Sequence, residues 1–193
     1  MRATGRSAFG PAATCYGWLS LDRRGCWRLR GEPVTHGGLN AFLNQHYACD
    51  ADGNYYVQNG PQRVFVDLAY TPWIVHLAAD HNLASHVGRP VSTLLGAALD
   101  EEGSLLVETR EGIALLCDRD LPTLLDHVRQ GNGKTADEDV LLALIAQTGT
   151  STTALTLAWE GASLPLHAVR RSQVPERYGF VASPRALAAA ARW

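Results

Sequence analysis

The sequence predicts an α+β protein made of two tandem units, each with antiparallel β-hairpins or small sheets packed against helices. Short alternating apolar stretches occur in pairs separated by turn residues, which is typical of hairpins. Helical spacing appears only between groups of hairpins, so the strand-helix-strand alternation of a parallel sheet is missing. The string LDRRG at 21–25 returns as LDEEG at 99–103, each time between two predicted strands, which indicates a weak internal repeat.

The first unit is predicted at 15–80, after a flexible N-terminal tail at 1–14. Its first hairpin has strands at 16–21 and 26–30, joined by the turn residues of LDRRG. The helix that follows is predicted from five side chains that share one helical face. These are Leu39, Phe42, Leu43, His46 and Tyr47.

Three strands complete the first unit. The pair at 55–58 and 63–68 flanks Asn59-Gly60, a dipeptide that tolerates the positive φ of a tight hairpin turn. A further strand is predicted at 72–77. The stretch from 80 to 90 then loses its periodicity, and it therefore predicts the connection between the units.

The second unit is predicted at 81–193. Its strands are predicted at 93–99, 104–109, 112–117, 155–159 and 164–168. One helix is expected at 121–128 and another at 137–147, and the second is apolar almost all round, which predicts burial on more than one side. Ser183-Pro184 predicts the start of a short Ala-rich helix that ends near Trp193.

Composition limits the class of protein. In 193 residues, 46% are apolar and 19% are charged, which is typical of a globular chain rather than a disordered one. The formal net charge of -2 lacks the basic excess that binds nucleic acid, and no apolar run approaches the length of a membrane span. We therefore expect a cytoplasmic protein with no nucleic-acid partner, no membrane partner and no cofactor. The four cysteines form no CxxC pair and are interpreted as small buried side chains.

The densest mixture of aromatic, amide and charged side chains lies between 55 and 70. The predicted ligand-binding residues in it are Tyr56, Gln58, Arg63, Asp67 and Tyr70. The first four are predicted on strand faces opposite the apolar alternation, where they could line a shallow ligand groove or a partner surface. The alternative is an exposed sheet face that carries an Arg63 to Asp67 pair.

Three histidines, His76, His81 and His86, are spaced five residues apart with Asp80 among them. Neutral imidazoles with a carboxylate are suitable ligands for Zn²⁺. A step of five residues turns a helix by about 140° past one full turn, and on a strand it changes face, so only an irregular loop would bring the three together. The alternative is a set of surface histidines in a connecting loop.

Glycines, prolines, acidic and aromatic residues between 17 and 73 stand in a recognisable order. They are Gly17, Asp22, Gly25, Trp27, Gly31, Pro33, the predicted helix, Asp52-Gly53-x-Tyr55, Pro61, Arg63, Val66-Asp67 and Pro72. In this order the chain resembles an uncharacterised proteobacterial family of conserved hypothetical proteins, a domain of unknown function. The resemblance implies tandem α+β units with repeated structural motifs, and a role in signal transduction through an undefined ligand or partner.

The chain departs from that family at 59–62, where Asn-Gly-Pro-Gln stands in place of an acidic residue after Thr-Pro. Acid-dependent chemistry is therefore not carried over. We expect a non-enzymatic module with a regulatory role that binds a small molecule or a protein, with a homodimer as a further expectation. The alternative is a metal-assisted hydrolase that uses His76, His81 and His86.

Overall fold

The computed structural model describes residues 14–146 and 155–184, and in these ranges fifteen strands form two mixed sheets with four α-helices beside them. The predicted α+β class is confirmed at this level. Residues 185–193 of the predicted C-terminal helix and residues 1–13 of the predicted tail lie outside the described residues. None of the described helices is both long and apolar enough to cross a bilayer.

The first sheet has six strands in the order β3-β2-β1-β6-β5-β4. These are β1 (Thr14–Leu21), β2 (Trp27–Leu29), β3 (Glu32–Pro33), β4 (Tyr47–Cys49), β5 (Tyr55–Asn59) and β6 (Gln62–Leu68). Helix α1 (Gly37–His46) lies between β3 and β4 in the chain, and His36 caps its start because the imidazole Nδ1 accepts from the Leu39 N–H at 3.2 Å. The hairpins and the helix predicted in this region are confirmed, except that Tyr47, predicted on the face of the helix, has an extended backbone and begins β4.

The second sheet has nine strands in the order β13-β14-β15-β10-β11-β12-β7-β8-β9. These are β7 (Trp73–Leu77), β8 (Leu83–Ser85), β9 (Pro90–Val91), β10 (Gly96–Asp100), β11 (Leu105–Thr109), β12 (Gly112–Leu116), β13 (Val128–Gln130), β14 (Leu155–Trp159) and β15 (Ala162–Val169). Its helices are α2 (Leu121–Leu125), α3 (Glu138–Ala146), a 3₁₀ turn at Arg171–Gln173 and α4 (Val174–Arg177). Strand β7 thus belongs to the second sheet, while the division into units at residue 80 stays a prediction.

The two sheets share one topology. The order β3-β2-β1-β6-β5-β4 has the same form as β12-β11-β10-β15-β14-β13, and a helix separates the third from the fourth strand in both. The strings LDRRG and LDEEG form the equivalent turns, β1 to β2 and β10 to β11. The weak repeat that these strings predict therefore has a counterpart in the strand order of the two sheets. The second sheet has three further strands, β7 to β9, next to β12.

The expectation of purely antiparallel sheets is wrong for three strand pairs. Strand β1 pairs in parallel with β6, β10 with β15, and β12 with β7. Apolar alternation reports which face a residue occupies but not the direction of the neighbouring strand, so the sequence carried no signal for these pairs.

The two repeated turns are held in the same way. In the first, the Asp22 Oδ1 accepts from the N–H groups of Arg24 at 3.0 Å and Cys26 at 2.9 Å. In the second, the Asp100 Oδ1 accepts from residues 102 and 104 at 3.0 and 2.7 Å. Each turn also needs positive φ at its glycine, and a Cβ on Gly25 would lie 2.5 Å from the Cβ of His86. These requirements explain why the two strings share Asp and Gly, while the leucine that both also contain is buried near the end of the preceding strand.

Two expectations about burial are wrong. Helix α3 buries only Leu144 fully, and Leu142 is 53% exposed, because the helix packs on the second sheet through one side. Cys26 and Cys49 are exposed rather than buried. The predicted helix at 121–128 ends at Leu125, and Val128 begins β13 instead.

A buried polar contact joins the two repeats. Tyr70 follows β6, and its hydroxyl donates to the Asp100 Oδ2 at 2.9 Å, with both residues almost fully buried. The guanidinium carbons of Arg171 and Arg23 lie 4.5 and 5.5 Å from the centroid of the Tyr70 ring. Burial and the Asp100 carboxylate raise the pKa of Tyr70, so its hydroxyl stays a donor at physiological pH.

We expect Tyr70→Phe to lower the free energy of unfolding by about 2 kcal/mol, because it leaves a buried carboxylate oxygen without its donor. Urea denaturation measures this, with Tyr56→Phe as the matched control, since Tyr56 is less buried and contacts Arg63 through its ring. Equal effects of the two substitutions would contradict the importance of the Tyr70 to Asp100 bond.

Candidate functional site

Three of the five residues predicted to bind a ligand come together on β5 and β6. The Arg63 guanidinium carbon lies 4.6 Å from the centroid of the Tyr56 ring, and Gln58 pairs in register with Arg63. The Gln58 side-chain amide donates to the carbonyls of Gly60 at 2.7 Å and Gln62 at 3.2 Å. These side chains are therefore engaged with one another and with their own hairpin turn.

The other two predicted residues lie elsewhere. The Asp67 carboxylate accepts from the Ser183 hydroxyl at 3.0 Å, and no ion pair between Asp67 and Arg63 occurs in the described part of the chain. Tyr70 is buried against Asp100, as described above. The structure thus does not join all five residues into one surface.

The three histidines do not converge either. His76 lies on β7, His81 lies in the turn to β8 with φ of 63°, and His86 follows β8. Within 14–146 and 155–184, no group of three His, Cys, Asp or Glu side chains is arranged to hold a metal ion. His76, His81 and His86 therefore do not form the metal site that the alternative hydrolase requires.

His86 is instead part of an aromatic cluster. The centroid of its ring lies 5.7 Å from that of Trp27, 5.5 Å from Tyr47 and 5.6 Å from Trp73. Its Nδ1 accepts from the Ile74 N–H at 3.3 Å, while Nε2 is buried without a hydrogen-bond partner among the described residues. Burial lowers the pKa of His86 to about 4, so the imidazole is neutral in the folded protein at physiological pH.

An apolar groove lies between α1 and the first sheet, and we refer to it as the α1 groove. Its volume is about 340 Å³, within the range of small-molecule sites. It is lined by Cys15, Trp18, Leu19, Leu29, Val34, Leu39, Phe42, Leu43, Val57, Asn59, Gln62 and Val64. Side chains from β1, β2, β5, β6 and α1 therefore contribute to one uncharged concavity.

The α1 groove concentrates exposed apolar surface. Trp18, Leu29 and Leu39 are 49%, 43% and 37% exposed, and they are three of the five large apolar side chains that are exposed in the described residues. Single exposed apolar residues are ordinary, but a contiguous apolar patch marks a binding surface. The packing of the fold alone does not account for these three side chains.

A bulge in β1 brings Trp18 to the groove. Cys15 is opposite Val64 and Leu19 is opposite Val66, so β1 has two more residues than β6 between these pairs. Gly17, with φ of 71°, lies inside this irregularity. Trp18 and Leu19 consequently both line the groove, although strict alternation would place neighbours on opposite faces. The alternation of β1 therefore did not predict this site, and Gly17 within an aromatic strand was the available signal.

Polar side chains border the α1 groove. Asn59 and Gln62, which line it, pair in the β5 to β6 hairpin, and the Gln62 Nε2 lies 3.7 Å from the Cys15 Sγ. Arg30 does not line the groove itself, but it follows Leu29, and its guanidinium carbon lies 3.9 Å from the centroid of the Trp18 ring, which does. The groove therefore combines an apolar interior with a cation at one rim.

A second and larger cavity, of about 570 Å³, lies between the two repeated turns. Its arginines are paired with carboxylates of the other repeat, Arg23 with Glu102 at 3.1 Å and Arg24 with Asp118 at 2.7 Å. A ligand there would have to displace existing ion pairs. These charges are accounted for by the contact between the repeats, so the α1 groove is the better candidate site.

Comparisons with known proteins identify a family and a fold. The family model described as "Protein of unknown function (DUF2946)" matches residues 10–185. A DUF1285 family protein from Silicibacter pomeroyi DSS-3 has a similar structure, with a TM-score of 0.54 and 16% identity over 86% of this chain and 90% of that chain. A DUF1285 family protein from Shewanella baltica OS155 matches 55% of this chain and 89% of its own, with a TM-score of 0.42 and 15% identity. No curated protein matches the chain.

His86 makes folding depend on pH. Its pKa is about 4 when folded and about 6.5 when unfolded, so between these values the unfolded chain binds a proton that the folded chain does not. We expect this contribution to be complete above pH 6.5 and to be lost as the pH falls toward 4, by about 3 kcal/mol in total.

Urea denaturation of the wild type and His86→Gln from pH 7.5 to 4.5 measures the loss, and the substitution should flatten the slope. His81→Gln, at an exposed histidine, is the control and should keep the wild-type slope. If the His86→Gln slope matches the wild type, the assignment of this pKa is wrong.

Proposed function

We propose that this chain, which belongs to the family of proteins of unknown function DUF2946, is a non-enzymatic binding module. It binds the apolar part of a small molecule in the α1 groove. The observation that carries the proposal is the meeting of Trp18, Leu29 and Leu39 in one concavity. A regulatory role, in which occupancy of the groove acts on a partner, is part of the proposal.

Hydrophobic energetics support this assignment. Complete burial of a large apolar side chain stabilises by about 1.5–3 kcal/mol, so covering the exposed half of each of the three contributes about 1 kcal/mol apiece. Of the remaining lining side chains, all except Asn59 are already partly or fully buried, so little side-chain ordering opposes binding. The groove is therefore suited to binding a small apolar group.

The chemistry of the lining supports binding rather than catalysis. None of the lining residues is Asp, Glu, His, Lys or Arg, so no general acid or base faces the interior. Cys15 is the one nucleophilic side chain in the lining, and it has no neighbouring base there.

A series of 1-alkanols from hexanol to nonanol tests the proposal by isothermal titration calorimetry on the full chain. We expect saturable binding at one site, with about a fourfold gain in affinity for each added methylene until the groove is full. Absence of saturable binding for the whole series would overturn the proposal.

Two substitutions of exposed leucines locate the binding. Leu39→Asp places a carboxylate in the α1 groove and should weaken alkanol binding by at least tenfold. Leu142→Asp on α3 makes the same chemical change at an exposed position outside the groove, and it should leave the affinity unchanged. Equal loss in the two variants would contradict the location.

The site predicted from the sequence is tested in the same titration. Tyr56→Ala and Arg63→Ala alter side chains on the strand positions that do not line the groove, so neither should change alkanol affinity. If both abolish binding while Leu39→Asp does not, the ligand binds at the Tyr56 and Arg63 surface, and the α1 groove is the wrong assignment.

A further inference from the structure

We infer that the natural ligand of the α1 groove is an amphipathic monocarboxylate, with its apolar tail in the groove and its carboxylate at Arg30. This inference rests on the proposed function, and it adds the charge and orientation of the ligand. Among the described residues, it follows from the contrast between an uncharged lining and the cation of Arg30, which contacts the lining residue Trp18.

Arg30 differs from the other arginines of its surroundings. Arg23, Arg24 and Arg28 each form an ion pair with an acidic side chain. Within 14–146 and 155–184, no carboxylate lies within ion-pair distance of Arg30. Glu32 is opposite Leu29 across the β2 to β3 turn, but it does not pair with Arg30. The Arg30 guanidinium therefore keeps its donors for a ligand.

The Trp18 ring connects this cation to the apolar interior. It lines the groove and lies 3.9 Å from the Arg30 guanidinium carbon, a distance typical of a cation–π contact. An arginine held on an aromatic face presents a planar set of N–H donors that matches the two oxygens of a carboxylate. A ligand whose tail contacts Trp18 and Leu29 would bring a terminal carboxylate to this position.

The lining selects against a cationic ligand. It contains no acidic residue that would pair with an ammonium group, and its side-chain amides, Asn59 and Gln62, are neutral. An ammonium beside Trp18 would face the like charge of Arg30. The same tail should therefore bind most tightly when it carries a carboxylate.

Three probes with the same tail measure the charge preference: octanoate, 1-octanol and octyltrimethylammonium. By calorimetry at low salt, we expect octanoate to bind about tenfold more tightly than octanol, and the ammonium probe to bind more weakly than octanol. The advantage of octanoate should decrease at high salt, because the pair with Arg30 is exposed to solvent.

Variants of Arg30 assign this preference to one side chain. Arg30→Gln should abolish the charge preference, so that octanoate and octanol bind to this variant with equal affinity. Arg30→Asn is a second variant, because Arg30 has φ of 52° and asparagine tolerates the left-handed conformation. Arg110→Gln removes the same charge from an exposed turn of the second sheet, and it should keep the tenfold preference.

The outcomes separate this inference from the proposed function. Equal binding of octanoate and octanol, or tighter binding of the ammonium probe, would overturn the monocarboxylate while leaving an apolar site in place. A preference for octanoate that survives both Arg30 variants would also overturn it. If no probe binds saturably to the wild-type chain, the proposed function fails, and this inference fails with it.

Discussion

The parallel pairing of the first and last strands of each repeat is the constraint on which the rest of the structure depends. It joins β1 to β6 and β10 to β15, so each repeat closes around a central parallel pair with antiparallel hairpins on both sides. Since parallel neighbours cannot be joined by a tight turn, the chain between them must leave the sheet and return, and α1 lies in this connection in the first repeat. The helix partly covers one sheet face, and the α1 groove is the space that remains.

The cavity between the repeats and the α1 groove differ in charge: the first is lined by paired charged side chains, and the second has no charged lining residue. Between the repeats, arginines and carboxylates pair across the contact, and the buried bond from Tyr70 to Asp100 adds a polar connection at the end of β6. Such exposed pairs contribute little stability individually but restrict how the two repeats meet. In the α1 groove, by contrast, the lining is uncharged, and apolar surface remains in contact with water. Arg30 at the rim is the cation beside this surface that has no acidic partner among the described residues.

Local chemistry explains which sequence predictions are confirmed. The turns at Asp22 and Asp100 were predictable because a short carboxylate that accepts from its own backbone, followed by a glycine with positive φ, forms a turn without help from the rest of the chain. Helix α1 was predictable because its apolar face has helical spacing. The site was harder to predict. The polar and aromatic residues at 56–63 form a dense cluster in the sequence, whereas Trp18, Leu29 and Leu39 have the same apolar pattern as core residues, and the pattern does not report their exposure.

The sequence by itself determined the longer strands, the hairpin turns and the recurrence of one turn in both halves, because these depend on residues that are neighbours along the chain. It did not predict the short strands β3, β4, β8, β9 and β13, and the segment 80–90, predicted as a connection, contains β8 and the start of β9. Only the tertiary structure decided which strands run parallel, that Trp18 within the β1 bulge lines the α1 groove, and that the three histidines do not form a metal-binding group among the described residues. Each of these depends on contacts between distant segments. Periodicity assigns a side chain to a face, but whether another element covers that face is decided by the whole fold.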